Sequence, residues 1–513
     1  MSDLLLRGRY LVTDARKKSA GVIADGAVAV ADGRIAAVGT YADLKGKYSS
    51  ARVLGNGRQL LMPGLIDAHS HGRGLSPIQK GVPTDFLENA LYDWATMPVL
   101  PPELTSAMCA LRHIRSGCTT LHHNSFDDEG KAGSERAHAS LRTYLGTGIR
   151  IVFSPSIRPK NRLALDDEAF WNTLPADLQA FTRPMVFFDQ ERMQEEYFEL
   201  FDGLYGRYDG EETKILLSVS WAHGTTEAFL EETRKLSEKL GGVQIHMHTL
   251  QTPVQKAYGL RAHGKPTMRW LDELGYVAPN VTYGHAIHVT EEDIALIAAK
   301  GASITHHPSC NLHMRNGVAP VMQYLRAGVN VAMGMDDKTI NDDEDAVMEL
   351  RMIHKIHRLA SFDLAEPAID AYTALQIGTS NAARVCGFGG ELGTLEKGMK
   401  ADAVLVDLDR VANDPWIDPD LDIVEAFVQR ALGPDVATVV IAGKPVMEDR
   451  KVLTFDVGAL RREVRDFCSK GLSPEQRARA DMVKKIKPYM QDWYRGWEKP
   501  VLGTPFYAVN SRD

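Results

Sequence analysis

Between residues 64 and 385, short apolar runs alternate with amphipathic stretches, and that alternation constrains the fold more than any other feature. Eight runs read as strands: GLIDAHSH, CTTLHHN, RIVFSPS, ILLSVSWA, VQIHMHT, VTYGHAIH, ASITHHP and NVAMGMDD. TEEDIALIAAKG and DEDAVMELRMIHKIHRLA have the spacing of helices that bury one face. Strand and helix in repeated alternation build a parallel sheet, because each crossover helix returns the chain to start in the same direction. Eight repeats predict an α/β fold, a (β/α)8 TIM-like barrel, which takes roughly 250 residues. A doubly wound open sheet shares the local pattern but uses the eight runs less economically.

The chain ends have a different texture. LLLRGRYLVT and GAVAVADGRIAAVG are short strands, and Asp32-Gly33 is a hairpin signal. ADAVLVDLD and VATVVIAGKPVMEDRKVL return to this texture after the barrel. The expected organisation is a small β-sandwich built from both ends, residues 1–62 and 389–456, around a barrel of residues 63–388. A charged helical tail, 457–513, closes with the aromatics Tyr489, Trp493, Tyr494, Trp497, Phe506 and Tyr507. Such aromatics pack against the same chain or form an oligomer contact.

A formal charge of -8 spread along the chain argues against a nucleic-acid footprint and a membrane-surface patch. The opening MSDLLLRGRYLVTDARKK lacks the apolar region of a signal peptide, and no segment is long and apolar enough to span a bilayer. The five cysteines are scattered without a CxxC pair, which fits a reducing cytoplasm and disfavours a thiolate metal site. A metal here must be held by histidine and carboxylate.

Histidines gather where a barrel keeps its chemistry, at the C-terminal strand ends. They stand as His69/His71, His122/His123, His246/His248, His285/His288 and His306/His307, and the eighth run ends in Asp336-Asp337. Each pair alone has an ordinary explanation as polar residues at a strand end. Five of eight strands ending this way point instead to a metal or acid–base centre. A histidine and carboxylate set with an open position turns bound water into a nucleophile near neutral pH. Residues two apart share a face of a strand, so His246 and His248 are equivalent on this reading.

MPGLIDAHSH, VTYGHAIHVTEEDI, THHPSCNLHMRNGVAPV and ELGTLEKGMKADAVLVD, in this order, resemble the amidohydrolase superfamily. The likeness runs from about residue 4 to 450 and is greatest to its aminated-heterocycle deaminases and triazine hydrolases (chlorohydrolase-like). It implies a metal-dependent hydrolase cleaving a C–N bond, by deamination or amidohydrolysis, in a small nitrogenous, heterocyclic compound. It implies His69, His71, His248 and Asp336 as metal ligands, with Asp336 also accepting a proton and His285 polarising the substrate. ILLSVSWA ends without a lysine, so one divalent metal per subunit is expected. Zinc suits the set best, and iron, cobalt or manganese fit it too. A homo-oligomer and a small-molecule substrate are the further implications.

Two departures stand out. The family carries glutamate three residues after the fifth-strand ligand, to protonate a leaving amine; this chain has Gln251, which cannot act as an acid. Gln251 therefore motivates an alternative, displacement of a halide or thiolate, or cleavage of an amide, urea or carbamate-like bond. A non-catalytic ligand-binding relative is the remote reading, opposed by the intact ligand positions. After the eighth strand, Asp337 replaces a glycine and is a candidate contact for a cationic group on the substrate. Tyr92 and Trp94, in ENALYDWATM, are candidates for stacking on a planar substrate, and His288 and His307 for shaping the pocket.

Overall fold

The computed structural model describes residues 4–83, 85–126, 128–358, 368–412 and 415–507. All eight expected runs are strands, labelled here β1 (Leu65–Ser70), β2 (Cys118–Asn124), β3 (Arg150–Ser154), β4 (Leu217–Trp221), β5 (Ile245–Thr249), β6 (Val281–His285), β7 (Ser303–His306) and β8 (Asn330–Met333). Each is buried along nearly its whole length. The consecutive apolar residues Ile151, Val152 and Phe153, all buried, reflect a parallel sheet covered on both faces.

The ladders form two parallel sheets. One contains β1, β2, β3 and the short strand Thr213–Ile215; the other runs in order from β4 to β8. Leu216 links them, because its N–H donates to Phe153 of β3 while the N–H of Leu217 donates to Gln244 just before β5. Among the described residues no ladder joins β8 to β1. There the sheets meet through single bonds: Asp336 N–H to the His69 carbonyl at 2.9 Å, and Met335 N–H to the Asp67 carboxylate at 2.9 Å.

Strands from the two chain ends pair with each other. Ala403–Asp407 pairs antiparallel with Gln59–Pro63 inside a seven-stranded sheet. A four-stranded sheet shares with it an apolar cluster that includes Leu6, Val28, Leu61 and Leu405. Asp32 and Gly33, with φ of 50° and 73°, form the two-residue turn between Gly26–Ala31 and Arg34–Thr40. The helix read through Ala360 ends at Ile356 among the described residues, and Leu359 and Ala360 lie outside them.

Helix α1 (Leu87–Trp94) lies in the loop after β1. The tail supplies α2 (Val457–Ser469) and α3 (Pro474–Tyr494), and residues 508–513 of it are outside the description. Helix α3 packs on the same chain: Lys487 pairs with Asp93 at 2.7 Å, Trp493 Nε1 donates to the Leu165 carbonyl, and the Tyr494 hydroxyl accepts from Leu165 N–H. Ile486 and Met490 bury themselves among Leu163, Phe170 and Leu178.

Candidate metal centre and substrate cavity

The strand ends converge on a histidine–aspartate cluster. The ligand-capable atoms of His69, His71 and His248 lie within 4.8 Å of one another, as do those of His69, His285, His307 and Asp336. In each expected ligand the orientation is set from behind. His71 Nδ1–H donates to the Asn124 carbonyl at 2.7 Å, and His248 Nδ1–H to the Ser220 carbonyl at 2.6 Å. His69 Nδ1 lies 2.7 Å from His246 Nε2. A ring nitrogen fixed by a carbonyl must carry the proton, leaving Nε2 with a free lone pair aimed forward.

Those forward atoms are the test of whether a metal fits. His69 Nε2 is buried and has no hydrogen-bond partner, and the same is true of His285 Nε2. Buried polar atoms are rarely left so. His71 Nε2 lies 2.9 Å from Asp336 Oδ1, His69 Nε2 3.6 Å from the same oxygen, and His285 Nε2 3.8 Å from Oδ2. Burial drives His69 down to about 3 and His285 to about 4, so both are neutral at pH 7, the state ligation requires. Burial alone would raise the Asp336 carboxyl; Lys338, His69 and His71 outweigh it and hold the group well below the carboxylate range. Imidazole nitrogens and one carboxylate around a common point suit a divalent ion such as zinc.

Strand exits carry the backbone strain. Leu250, His285, Ala286, Asp336 and Asp337 all have φ between 43° and 68°, a region uncommon for residues other than glycine. Such residues gather where surrounding structure fixes a functional geometry.

The cluster opens into a cavity of about 510 Å³ lined by His71, His248, Gln251, His285 and Asp336 on the metal side. Tyr92 and Trp94 line it, though neither ring is free. The Tyr92 hydroxyl donates to the Leu163 carbonyl at 2.7 Å, and Trp94 faces Arg73 and Lys338. His307 stacks on His69 with centroids 4.4 Å apart and lies 3.2 Å from His285, behind the cavity wall. His288 turns to the Asn316 carbonyl, 2.7 Å away, and is not part of the lining. Asp337 Oδ2 accepts from the N–H groups of His71 and Arg73 at 3.0 and 3.2 Å, while its Oδ1 is buried with no hydrogen-bond partner. It braces the loop after β1, and its expected substrate contact is not among the lining contacts.

Several working residues escaped sequence reasoning. Asp67 accepts from His69 N–H, Met335 N–H, the Ser70 hydroxyl and His113 Nε2, at 3.1, 2.9, 2.6 and 2.9 Å. Its signal was a buried acid inside an apolar strand, LIDAH. Cys310 Sγ donates to Asp336 Oδ2 at 2.7 Å, and Asn311 Oδ1 lies 3.0 Å from His285 Nδ1. Glu88, in α1, lines the cavity and accepts from the Thr252 hydroxyl at 2.6 Å, beside Gln251. Residues of the tail, Val483, Ile486 and Tyr494, line it as well.

Comparison with known proteins identifies the family. The amidohydrolase family matches residues 60–446. The chain belongs to that family. It is thus a metal-binding hydrolase acting on C–N bonds other than peptide bonds. Similar proteins include a 5'-deoxyadenosine deaminase of Methanosarcina mazei, 27% identical over 89% of this chain and 95% of that one. A 5-methylthioadenosine/S-adenosylhomocysteine deaminase of Syntrophobacter fumaroxidans is 28% identical over 92% and 99%. A zinc-bound adenosine deaminase from Xanthomonas campestris superposes with a TM-score of 0.75 at 26% identity, over 91% and 98%. Zinc-bound atrazine chlorohydrolase from Arthrobacter aurescens shares the fold, with a TM-score of 0.74 at 20% identity over 90% and 99%.

Proposed function

We propose that this amidohydrolase removes an exocyclic nitrogen substituent from a small heterocycle, by deamination, using one divalent metal held by His69, His71, His248 and Asp336. The observation that carries the reading is the set of orphaned, forward-facing imidazole nitrogens beside a deprotonated Asp336 at the head of a 510 Å³ cavity. That volume suits a nucleoside-sized molecule, and the adenosine-type deaminases among its relatives support that class. When bound, the metal supplies an activated water near neutral pH. Asp336 takes the proton at a carboxylate oxygen, and its bond from Cys310 leaves Oδ1 turned to the histidines. His285, held by Asn311, directs Nε2 at charge developing on the attacked ring.

The departing amine needs a proton that Gln251 cannot give. Glu88 is the cavity carboxyl we assign to it: burial raises its pKa, and the Thr252 hydroxyl holds one oxygen beside Gln251. Gln251 also keeps the second reading open, expulsion of a group that leaves without a proton. Further parts of the reading are a closed barrel over residues 63–388, a β-sandwich from 1–62 and 389–456, a cytoplasmic homo-oligomer, pocket-shaping roles for Tyr92 and Trp94, and supporting roles from behind the lining for His307, His288 and Asp337.

Ammonia release from amino-substituted purines, nucleosides, pterins and triazines tests the proposal in zinc-loaded enzyme. Wild type, Glu88→Gln and Gln251→Glu are run together. Release by wild type that falls in Glu88→Gln supports it. Chloride or thiol release with no ammonia from any amine substitutes the second reading.

A further inference from the structure

Three cations crowd one side of the substrate cavity with donors left unused. Lys338 follows the metal-site aspartate by two residues, is 4% exposed, and spends one Nζ donor on the Asp336 carbonyl at 3.1 Å. Its ammonium stands 4.7 Å from the Trp94 ring centroid, and the Arg73 guanidinium stands 4.2 Å from the same ring. Arg73 Nη1 is buried with no hydrogen-bond partner, and its Nε reaches Asp337 only at 3.9 Å. Lys80 completes the group on the cavity lining. Among the described residues no carboxylate forms an ion pair with Lys338 or Lys80. Burial and the neighbouring Arg73 push Lys80 down to about 8, as expected of cations held together.

Two carboxylates, Asp336 and Asp337, stand against the three cations. Asp336 belongs to the metal site, and Asp337, whose Oδ2 takes two backbone N–H groups, stands 3.9 Å from Arg73 Nε with its Oδ1 buried and unpartnered. Glu88 is turned to Thr252, and Asp128 accepts from Ser125 and Ser156. A buried charge with unused donors is costly unless a ligand completes it. A neutral heterocycle stacked on Trp94 would leave that cost in place.

We propose that the substrate carries an anionic group, a carboxylate or a phosphate, seated among Arg73, Lys338 and Lys80 beside Trp94. This rests on the reading of the cavity as the substrate site. It assigns Arg73 and Lys338 as specificity residues, with Asp337 setting the position of Arg73 through its backbone.

The test uses zinc-loaded enzyme and three small probes, benzoate, benzamide and phenyl phosphate, titrated calorimetrically. One anion should bind roughly 10- to 100-fold more tightly than benzamide, the range for hydrogen bonds to charged groups. The tighter of benzoate and phenyl phosphate identifies the group. Arg73→Gln and Lys338→Gln should each remove most of the preference, while Arg73→Lys keeps most of it and, with unchanged zinc content, excludes misfolding. Equal binding of benzamide overturns the proposal. So does a preference that survives both glutamine variants and vanishes only when zinc is removed, which would seat the anion on the metal. Ammonia release from neutral heterocycles without any anion preference would sink this seat and leave the hydrolase reading intact. Anion preference without turnover of any heterocycle would do the reverse.

Discussion

Asp67 makes the sharpest prediction because it joins two strands that no ladder joins among the described residues. Its Oδ1 takes the N–H groups of His69 on β1 and Met335 after β8, and its Oδ2 takes the Ser70 hydroxyl and His113 Nε2. His113 Nδ1 also donates, to the Cys109 carbonyl at 2.8 Å, so both ring nitrogens carry protons and the pair is a buried ion pair. Burial opposes a charged His113, but Cys109 and Asp67 outweigh it and raise its pKa well above the ordinary value. Asp67→Ala strands two backbone N–H groups and the imidazole in a site with no exposure. At about 1–3 kcal/mol for each orphaned group, the cost is about 3–9 kcal/mol, a large part of a typical folding stability. Asp67→Asn keeps a carbonyl oxygen for the two N–H groups and offers an amide N–H to a neutral His113, so it should cost only about 1–3 kcal/mol. Because the folded pKa of His113 is raised, its pairing contributes fully below about pH 6.5 and is lost as pH rises through the folded value. The asparagine penalty should therefore shrink as pH is raised. Urea midpoints at several pH values and zinc affinity by competition with a chelator are the assays. Zinc affinity should fall roughly 10- to 100-fold, the usual effect of losing a group that orients a ligand. A midpoint and a zinc affinity in Asp67→Ala equal to wild type would refute the reasoning.

Other perturbations read other parts of the site. Asn311→Ala frees His285 Nδ1 and should cut kcat by roughly 10- to 100-fold with KM little changed, since an acid–base group is worth about 10²–10⁴-fold when held in place; a KM effect alone would reassign Asn311 to binding. His122 and His357 are buried and held down to about 4, so unfolding takes up protons between that value and about 6.5 and stability falls as pH drops through this window. At pH 5 each should cost about 2 kcal/mol relative to pH 7, and a flat urea midpoint over that range in metal-free protein would contradict both. Ile486→Ala, in the tail, should cost about 2–4 kcal/mol and raise KM, because this side chain is 1% exposed and lines the cavity. Tail release by limited proteolysis without any change in KM would show that α3 only covers the barrel.

Sequence could deliver what depends on period and position. Alternation located all eight strands, and the positions of His69, His71, His248, His285 and Asp336 at strand exits were readable from spacing and resemblance together. Contacts between residues distant in sequence were not readable. Trp94 looked like a platform for a planar substrate, yet Arg73 and Lys338 already face its ring. Asp337 was expected to meet a cation on the substrate; the backbone of a loop 266 residues earlier takes its Oδ2, a contact no spacing could show. The tail carried no motif, and its part in the cavity wall depends on α3 meeting α1 across the fold.

His246 and His248 show where the boundary lies. A two-residue period places both on the inner face and cannot separate them, because it describes direction and not depth along the strand. Depth separates them in the fold. His246 sits one pleat lower, where its Nε2 meets His69 Nδ1, so it can only brace a ligand from behind. His248 stands at the next pleat, where the Ser220 carbonyl of β4 takes its Nδ1–H and turns Nε2 toward His69 and His71. The register of β4 against β5 shifts between Ser218 and Trp221, paired with His246 and His248, and that irregularity supplies the Ser220 carbonyl. A His246→Gln variant should then keep zinc with weakened affinity, while His248→Gln loses a ligand outright. Equal zinc loss in the two would mean that the pair shares the metal and that depth does not decide between them.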